Sequence, residues 1–203
     1  MVKYFITGIG TGIGKTLIST ILTEKLKADY WKPIQSGDLE TSDSKTIASL
    51  ISNNLTVIHP ESYRLTQPLS PHLSAKLDGI HINLDQIVIP ETTNNLIIEG
   101  AGGLMVPLNE NELIVDLIKK LDVEVILISQ NYLGSINHTL LSINLLNQYN
   151  IKIKGIIFNG EENLETERFI LQYSKTKKLG SVPSLKKIDK LNVISSGNLI
   201  SLD

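Results

Sequence analysis

Short apolar runs alternate along the chain with longer segments whose apolar residues recur at helical spacing. The runs cover Lys3 to Thr7, Asn95 to Glu99, Val123 to Ser129 and Ile151 to Asn159, and they lack a regular alternation of polar and apolar residues. Such runs are typical of strands that are buried on both faces. They therefore predict the strands of a parallel sheet.

Amphipathic helices are predicted between these strands. The first is indicated by Leu17, Ile18, Ile21, Leu22 and Leu26, and others by Ser44 to Ile51, Leu113 to Leu121, Ile136 to Tyr149 and Leu164 to Ser174. Pro183 marks a turn after a short strand, whereas residues 52–94 have no clear assignment. The pattern predicts one α/β domain over residues 1–203, with a mostly parallel sheet flanked by helices on both faces.

The composition limits the partners and the compartment. The formal net charge is −2 with mixed acidic and basic residues, so nothing predicts binding to nucleic acid or to an anionic membrane surface. There is no cysteine, which excludes disulfides and thiolate metal sites and suits a reducing cytoplasm. No apolar run approaches the roughly 20 residues of a membrane span, and no signal peptide is apparent. We therefore expect an untargeted cytoplasmic protein.

A glycine-rich loop over Gly8 to Thr16 lies between the first predicted strand and the first predicted helix. Glycines allow backbone N–H groups to surround phosphate oxygens, and the helix N-terminus adds its dipole. Lys15 can then reach the β- and γ-phosphates, and the Thr16 hydroxyl can bind Mg²⁺. The alternative is a turn that only starts a helix, but Gly14, Lys15 and Thr16 stand where a phosphate loop needs them. Because its first glycine is Gly8 rather than residue 9, we predict a variant P-loop.

Two further charged residues follow apolar segments. Lys32 comes after a short apolar segment and before Pro33, so its backbone is expected to be extended and its side chain to leave a strand end. Glu99 ends a strand ahead of a glycine-rich loop, where its carboxylate can face a metal that Thr16 and phosphates hold. The alternatives are a solvated lysine and an ordinary acidic residue at a strand end.

Four polar residues lie where a purely structural role is the alternative. Asp43, Ser135 and Asn137 can cap the helices that they precede or begin. Asn159 ends a predicted strand, where its amide can hold an adenine edge or simply form a turn.

Five segments together resemble the dethiobiotin synthetases in their order and spacing, over nearly the whole chain. They are the P-loop, Trp31-Lys32-Pro33-Ile34-Gln35-Ser36-Gly37, Ser70-Pro71-His72, Glu99-Gly100-Ala101-Gly102-Gly103 and Gly134-Ser135-Ile136-Asn137-His138. The resemblance implies a P-loop NTPase-like fold. It also implies an enzyme that closes a cyclic urea on 7,8-diaminopelargonic acid with CO2 and Mg·ATP, through a carbamate and a carbamic-phosphoric anhydride. A homodimer with a shared active site is implied as well.

The resemblance also implies a role for each matching residue. The catalytic residues would be Lys15, Lys32 and Thr11, and Mg²⁺ would be bound by Thr16, Asp43 and Glu99. The nucleotide would be bound by Gly12, Ile13, Gly14, Lys15, Thr16, Asn159 and Pro183. The substrate would be bound by Ser36, Ser135 and Asn137. His72 and His138 match family positions, but we assign them no catalytic role.

Two departures from the family pattern bear on substrate recognition. Gly10 stands where an aspartate is common, and the segment Gln130-Asn131-Tyr132 lacks a basic residue that many members have. Two other function classes remain as alternatives. A nucleotide-driven dimerisation switch of the chromosome- and septum-positioning type would need a lysine at the position of Gly10. A related amidoligase or small-molecule kinase on the same fold would not be expected to share the Lys32 and Ser70 segments.

Overall fold

A seven-stranded parallel sheet forms the centre of the fold in a computed structural model, which describes residues 1–203. Its strands are β1 (Lys3–Gly8), β2 (Asp29–Trp31), β4 (Ile58–His59), β6 (Leu96–Gly103), β7 (Glu124–Ser129), β8 (Ile153–Asn159) and β9 (Lys178–Val182). They lie in the order β4-β2-β6-β1-β7-β8-β9, and every pairing is parallel. Two short strands, β3 (Ile34–Ser36) and β5 (Tyr63–Leu65), form a separate parallel pair.

Helices cover both faces of the sheet. They are α1 (Lys15–Leu26), α2 (Asp43–Leu50), α3 (Pro71–Leu77), α4 (Ile114–Leu121), α5 (Ser135–Gln148), α6 (Leu164–Ser174) and α7 (Lys190–Gly197). One apolar core contains Trp31, Ile98 and residues of α4, and the other contains Tyr30, Ile97 and residues of α1. Successive strand residues thus enter opposite cores, which confirms the predicted α/β fold class. None of the helices is long and apolar enough to cross a membrane.

The alternation of side chains along β2 and β6 decides which residues reach the P-loop. Tyr30 pairs with Ile97 in the parallel register, and both face the core that α1 covers. Glu99 lies two residues after Ile97 and Lys32 two residues after Tyr30, so both side chains emerge on this same face. Because the sheet is parallel, they emerge at the edge where β1 ends and the P-loop begins.

Several sequence expectations need correction. Asp43 is not a helix cap, because Ser42 holds that position and its hydroxyl accepts from the Lys45 backbone N–H. Ser135 and Asn137 do not cap α5 either, since the cap is Gly134 in a left-handed conformation. The unassigned residues 52–94 contain β4, β5 and α3, and α7 was not predicted. Elements of two to eight residues are too short to show a clear period.

Candidate functional site

A cavity of about 710 Å³ lies at the carboxyl ends of β1, β2 and β6. Of the predicted site residues, it is lined by Thr11, Gly12, Gly14, Lys15, Thr16, Lys32, Ser36, Asp43 and Glu99. The predicted residues Ile13, Ser135, Asn137, Asn159 and Pro183 do not line it. This is the edge of a parallel α/β sheet where ligands bind.

The P-loop is held in place by contacts within the chain. Gly14 has a left-handed φ of 93°, and a Cβ there would lie 2.2 Å from Asn159 Nδ2, so only glycine fits. The same Asn159 amide donates to the Ile13 carbonyl at 2.9 Å. Asn159 therefore braces the start of α1. Pro183 follows Val182, the residue of β9 that pairs with Asn159.

Lys15 is buried beneath the loop, and its ammonium donates to the Gly10 carbonyl at 2.8 Å. Its pKa is lowered to about 8, chiefly because burial disfavours the charged form; Glu99 opposes this change and the neighbouring Lys32 adds to it. An anionic group bound beside Lys15 would favour the charged form of the lysine. The geometry therefore suits a phosphate ligand.

Three hard oxygen ligands converge beside the P-loop. The Thr16 hydroxyl lies 2.8 Å from Asp43 Oδ1 and 2.9 Å from Glu99 Oε1. A hydroxyl has one proton, so it can donate to only one of these carboxylates at a time. A hydroxyl and two carboxylates are the small set of protein ligands with which Mg²⁺ is usually held, together with phosphates and water. The donor set therefore fits the predicted Mg²⁺.

Lys32 lies between the same two carboxylates. Its ammonium forms an ion pair with Asp43 Oδ2 and lies 3.5 Å from Glu99 Oε1. Burial alone would lower the pKa of Lys32, but the attraction of Glu99 and Asp43 outweighs it and raises the pKa. The alternative of a solvated lysine is therefore wrong, since Lys32 is a buried side chain that lines the cavity.

Tyr30 belongs to the same cluster and was missed in the sequence. Its hydroxyl donates to Glu99 Oε2 at 2.9 Å, and its side chain is fully buried. Burial and the nearby Glu99 carboxylate raise the pKa of Tyr30 well above its ordinary value, so it is a neutral donor. The signal was present, because residues two apart in a strand share a face and Lys32 was already a candidate.

Two unpartnered oxygens mark the end of the cavity formed by β3. Ser36 Oγ and Gln35 Oε1 are buried and have no hydrogen-bond partner within the chain, while both residues line the cavity. Buried polar atoms are rarely left unpaired, so a polar ligand is the expected partner. Gln35 was not singled out in the sequence, where it is only one position of a longer motif.

Asn137 lies apart from this cavity. It lines a second one of about 830 Å³, formed by the segment before α5 and the segment before α6. Ser135 is buried nearby, and its hydroxyl has no hydrogen-bond partner. His138 pairs with the Tyr132 hydroxyl at 2.7 Å, while His72 is exposed on α3. A single chain therefore does not bring Ser135 and Asn137 to the cavity beside the P-loop.

Comparison with known proteins identifies close relatives. A family model described as an AAA domain matches residues 2–192. The chain is 53% identical to the ATP-dependent dethiobiotin synthetase BioD of Cytophaga hutchinsonii over 191 residues, 94% of this chain and 92% of the relative. The protein of the same name from Christiangramia forsetii is equally similar. That from Brucella anthropi is 45% identical over 92% of this chain and 88% of its own length.

Solved structures support the fold. A ParA family ATPase from Chlorobium tepidum aligns with a TM-score of 0.58 at 14% identity and covers 97% of both chains. The cell division ATPase MinD of Pyrococcus furiosus aligns with a TM-score of 0.63 at 10% identity and covers 98% of both chains. At such low identity these similarities show the P-loop fold alone.

Proposed function

Because the chain belongs to the ATP-dependent dethiobiotin synthetase family, and is thus a ligase of biotin biosynthesis, we propose that it closes the cyclic urea of dethiobiotin on 7,8-diaminopelargonic acid with CO2 and ATP. One observation carries the proposal beyond the family name. Two lysines and one carboxylate of the family motifs meet the Asp43 carboxylate in one cavity beside the P-loop. We propose that they act within one domain over residues 1–203, in the cytoplasm where ATP is available.

The proposed reaction has three steps. One amine attacks CO2, which forms an N–C bond, releases a proton and gives a carbamate. A carbamate oxygen then attacks the γ-phosphorus of ATP, ADP leaves, and a carbamic-phosphoric anhydride forms. The second amine attacks the carbonyl carbon, and the bond between this carbon and the phosphate oxygen breaks. Phosphate leaves, a second proton is lost, and the ring is closed. Each step gains mainly from orientation and from cations near the developing negative charge.

Lys15 and Lys32 would supply that positive charge. Lys15 would leave the Gly10 carbonyl for the β- and γ-phosphates, and Lys32 would face the carbamate and the transferring phosphoryl group. Thr11, which lines the cavity, would contact the reacting groups from the tip of the P-loop. These three residues form the proposed catalytic set.

The nucleotide would be held chiefly by backbone groups. Gly12, Ile13 and Gly14 lie in the loop whose N–H groups would surround the phosphates. Asn159 ends β8 and Pro183 directly follows β9, and we place the adenine there because Val182 of β9 pairs with Asn159. Asn159 keeps an amide oxygen and a second N–H after bonding to Ile13, which is the pair of groups that an adenine edge needs.

Thr16, Asp43 and Glu99 would hold Mg²⁺. When bound, the ion would neutralise charge on the phosphates during phosphoryl transfer. Lys32 contacts both carboxylates, so we expect its ammonium and the metal to share the negative charge of Asp43 and Glu99. Ser36, with its unpartnered hydroxyl, would bind the diamine at the other end of the cavity.

Ser135 and Asn137 would bind the substrate of a neighbouring subunit. Both lie at the N-terminus of α5, where free backbone N–H groups attract an anion such as the substrate carboxylate. They lie outside the catalytic cavity of their own chain. We therefore propose a homodimer in which each site takes its P-loop from one chain and these residues from the other.

A product assay tests the proposed reaction. Purified protein supplied with diaminopelargonic acid, bicarbonate and Mg·ATP should yield ADP, phosphate and dethiobiotin in equal amounts. ATP hydrolysis that does not depend on the diamine, and gives no ring product, would contradict the proposal. That result would favour a nucleotide switch.

The metal ligands can be tested by isosteric substitution. We expect Glu99→Gln and Asp43→Asn to raise the Mg²⁺ concentration for half-maximal activity by about tenfold or more, because each loses an anionic ligand at nearly constant volume. Titration of activity against Mg²⁺ measures this. Asp38→Asn is the control, since Asp38 lines the same cavity without contacting Thr16. If neither test variant differed from this control, the metal would be held elsewhere.

A further inference from the structure

Tyr30 contacts a proposed metal ligand from behind the catalytic cavity, which it does not line. We infer that Tyr30 is a positioning residue of the metal site, whose hydroxyl fixes the Glu99 carboxylate so that one oxygen faces Thr16 and Lys32. This inference rests on the proposed role of Glu99 as a magnesium ligand. It concerns a residue that the family motifs quoted above do not include.

The two oxygens of Glu99 have separate partners. Oε2 accepts from the Tyr30 hydroxyl at 2.9 Å, whereas Oε1 accepts from Thr16 at 2.9 Å and lies 3.5 Å from the Lys32 ammonium. Glu99 is only 1% exposed, so water does not replace a missing donor. Without the phenol, Oε2 would have no partner, and the carboxylate would gain by turning that oxygen toward Lys32. Tyr30 therefore keeps Oε1 directed at the site.

Tyr30 is itself held rigidly. Its strand β2 lies between β4 and β6, and its backbone pairs with Ile97, two residues before Glu99 on the same face. The ring is fully buried in the core that contains Ile97 and Ile47. A donor on a strand within a sheet positions its acceptor more accurately than one on a loop. The geometry is that of an outer residue that orients a metal ligand.

The substitution Tyr30→Phe tests the inference, because it removes the hydroxyl and keeps the ring. Loss of an outer partner of a ligand typically weakens metal affinity about 10- to 100-fold. We expect that increase in the Kd of Mn²⁺, a substitute for Mg²⁺, for the complex of the protein with ADP. Electron paramagnetic resonance measures free Mn²⁺ directly and does not depend on turnover. The affinity for ADP without metal should stay unchanged.

Tyr63→Phe is the matched control. Tyr63 is also a buried tyrosine, 9% exposed, and its hydroxyl donates to Gln86 Oε1 at 3.0 Å outside the site. Both variants should lose some thermal stability, but only Tyr30→Phe should weaken Mn²⁺ binding. In a Glu99→Gln background, Tyr30→Phe should have almost no further effect on the Mn²⁺ Kd, because its action passes through Glu99.

The outcomes separate this inference from the function on which it rests. If the unsubstituted protein with ADP bound no Mn²⁺, the proposed metal site itself would be wrong. If it bound Mn²⁺ and Tyr30→Phe bound it equally well, only the inference would be overturned. Should Tyr30→Phe not fold, proton NMR of the unsubstituted protein can follow the buried Tyr30 hydroxyl. Its resonance should shift when Mg²⁺ is added with ADP, and an unchanged resonance would overturn the inference.

Discussion

Replacing Lys32 by alanine is expected to lower kcat about 10²- to 10³-fold, the typical loss when one preorganised charge contact to a transition state is removed. Lys32 is the ammonium that lies between Asp43 and Glu99 and faces the cavity. The loss should persist at saturating diamine and ATP, because the charge acts on the developing anion. Steady-state kinetics at saturating substrates measure it.

The same substitution also breaks a buried ion pair, and this effect must be separated from catalysis. Removing one partner of a buried pair can cost about 3–5 kcal/mol, and we expect less here because the Asp43 side chain is 29% exposed. Lys178→Ala is the control. The Lys178 ammonium lies 2.7 Å from Oε2 of the buried Glu167, and neither residue lines the cavity. The control Lys178→Ala should lower the melting temperature without lowering kcat. Near-normal turnover by Lys32→Ala would return Lys32 to a structural role.

The sequence predicted the fold well where strands are long and buried. The β1 and β7 segments read as continuous apolar runs because helices cover both their faces, and the structure confirms them with ends within about two residues. The secondary structure from β4 to β5 could not be predicted from the sequence. Its strands have two and three residues and form only through long-range pairing with β2 and β3. Local periodicity contains no information about such pairing.

The candidate site was predicted as separate residues rather than as an arrangement. The P-loop could be predicted from its own residues, since it is a contiguous sequence motif. That Lys32 is shared by Asp43 and Glu99 could not be predicted, because it depends on the tertiary packing that brings the start of α2 to Lys32 and Glu99. Tyr30 could be predicted in part. The alternation of side chains places it on the same face of β2 as Lys32, but its contact with Glu99 can be predicted only when β6 is known to pair with β2.

Mixing two impaired variants is expected to restore activity if the site is shared between subunits. Asn137→Ala should lower kcat/KM for the diamine by about 10- to 100-fold, the value of a hydrogen bond to a charged group, and Lys15→Ala should nearly abolish turnover. In a mixed dimer, the Asn137→Ala chain supplies an intact Lys15 and the Lys15→Ala chain supplies an intact Asn137. One of the two sites therefore contains both residues. Random exchange at equal concentrations should therefore restore about a quarter of normal activity, measured well below the KM of the diamine.

A second mixture makes this result specific. Lys15 and Lys32 line the same cavity of one chain, so a mixed dimer of Lys15→Ala and Lys32→Ala contains no site with both lysines. Its activity should not exceed that of the separate variants, whereas recovery there would point to misfolded subunits rescued by association. Native mass spectrometry can verify that mixed dimers form in both experiments. If they form and the mixture that contains Asn137→Ala shows no gain in activity, each chain holds its whole site, and the exposed Asn137 has no part in binding the diamine.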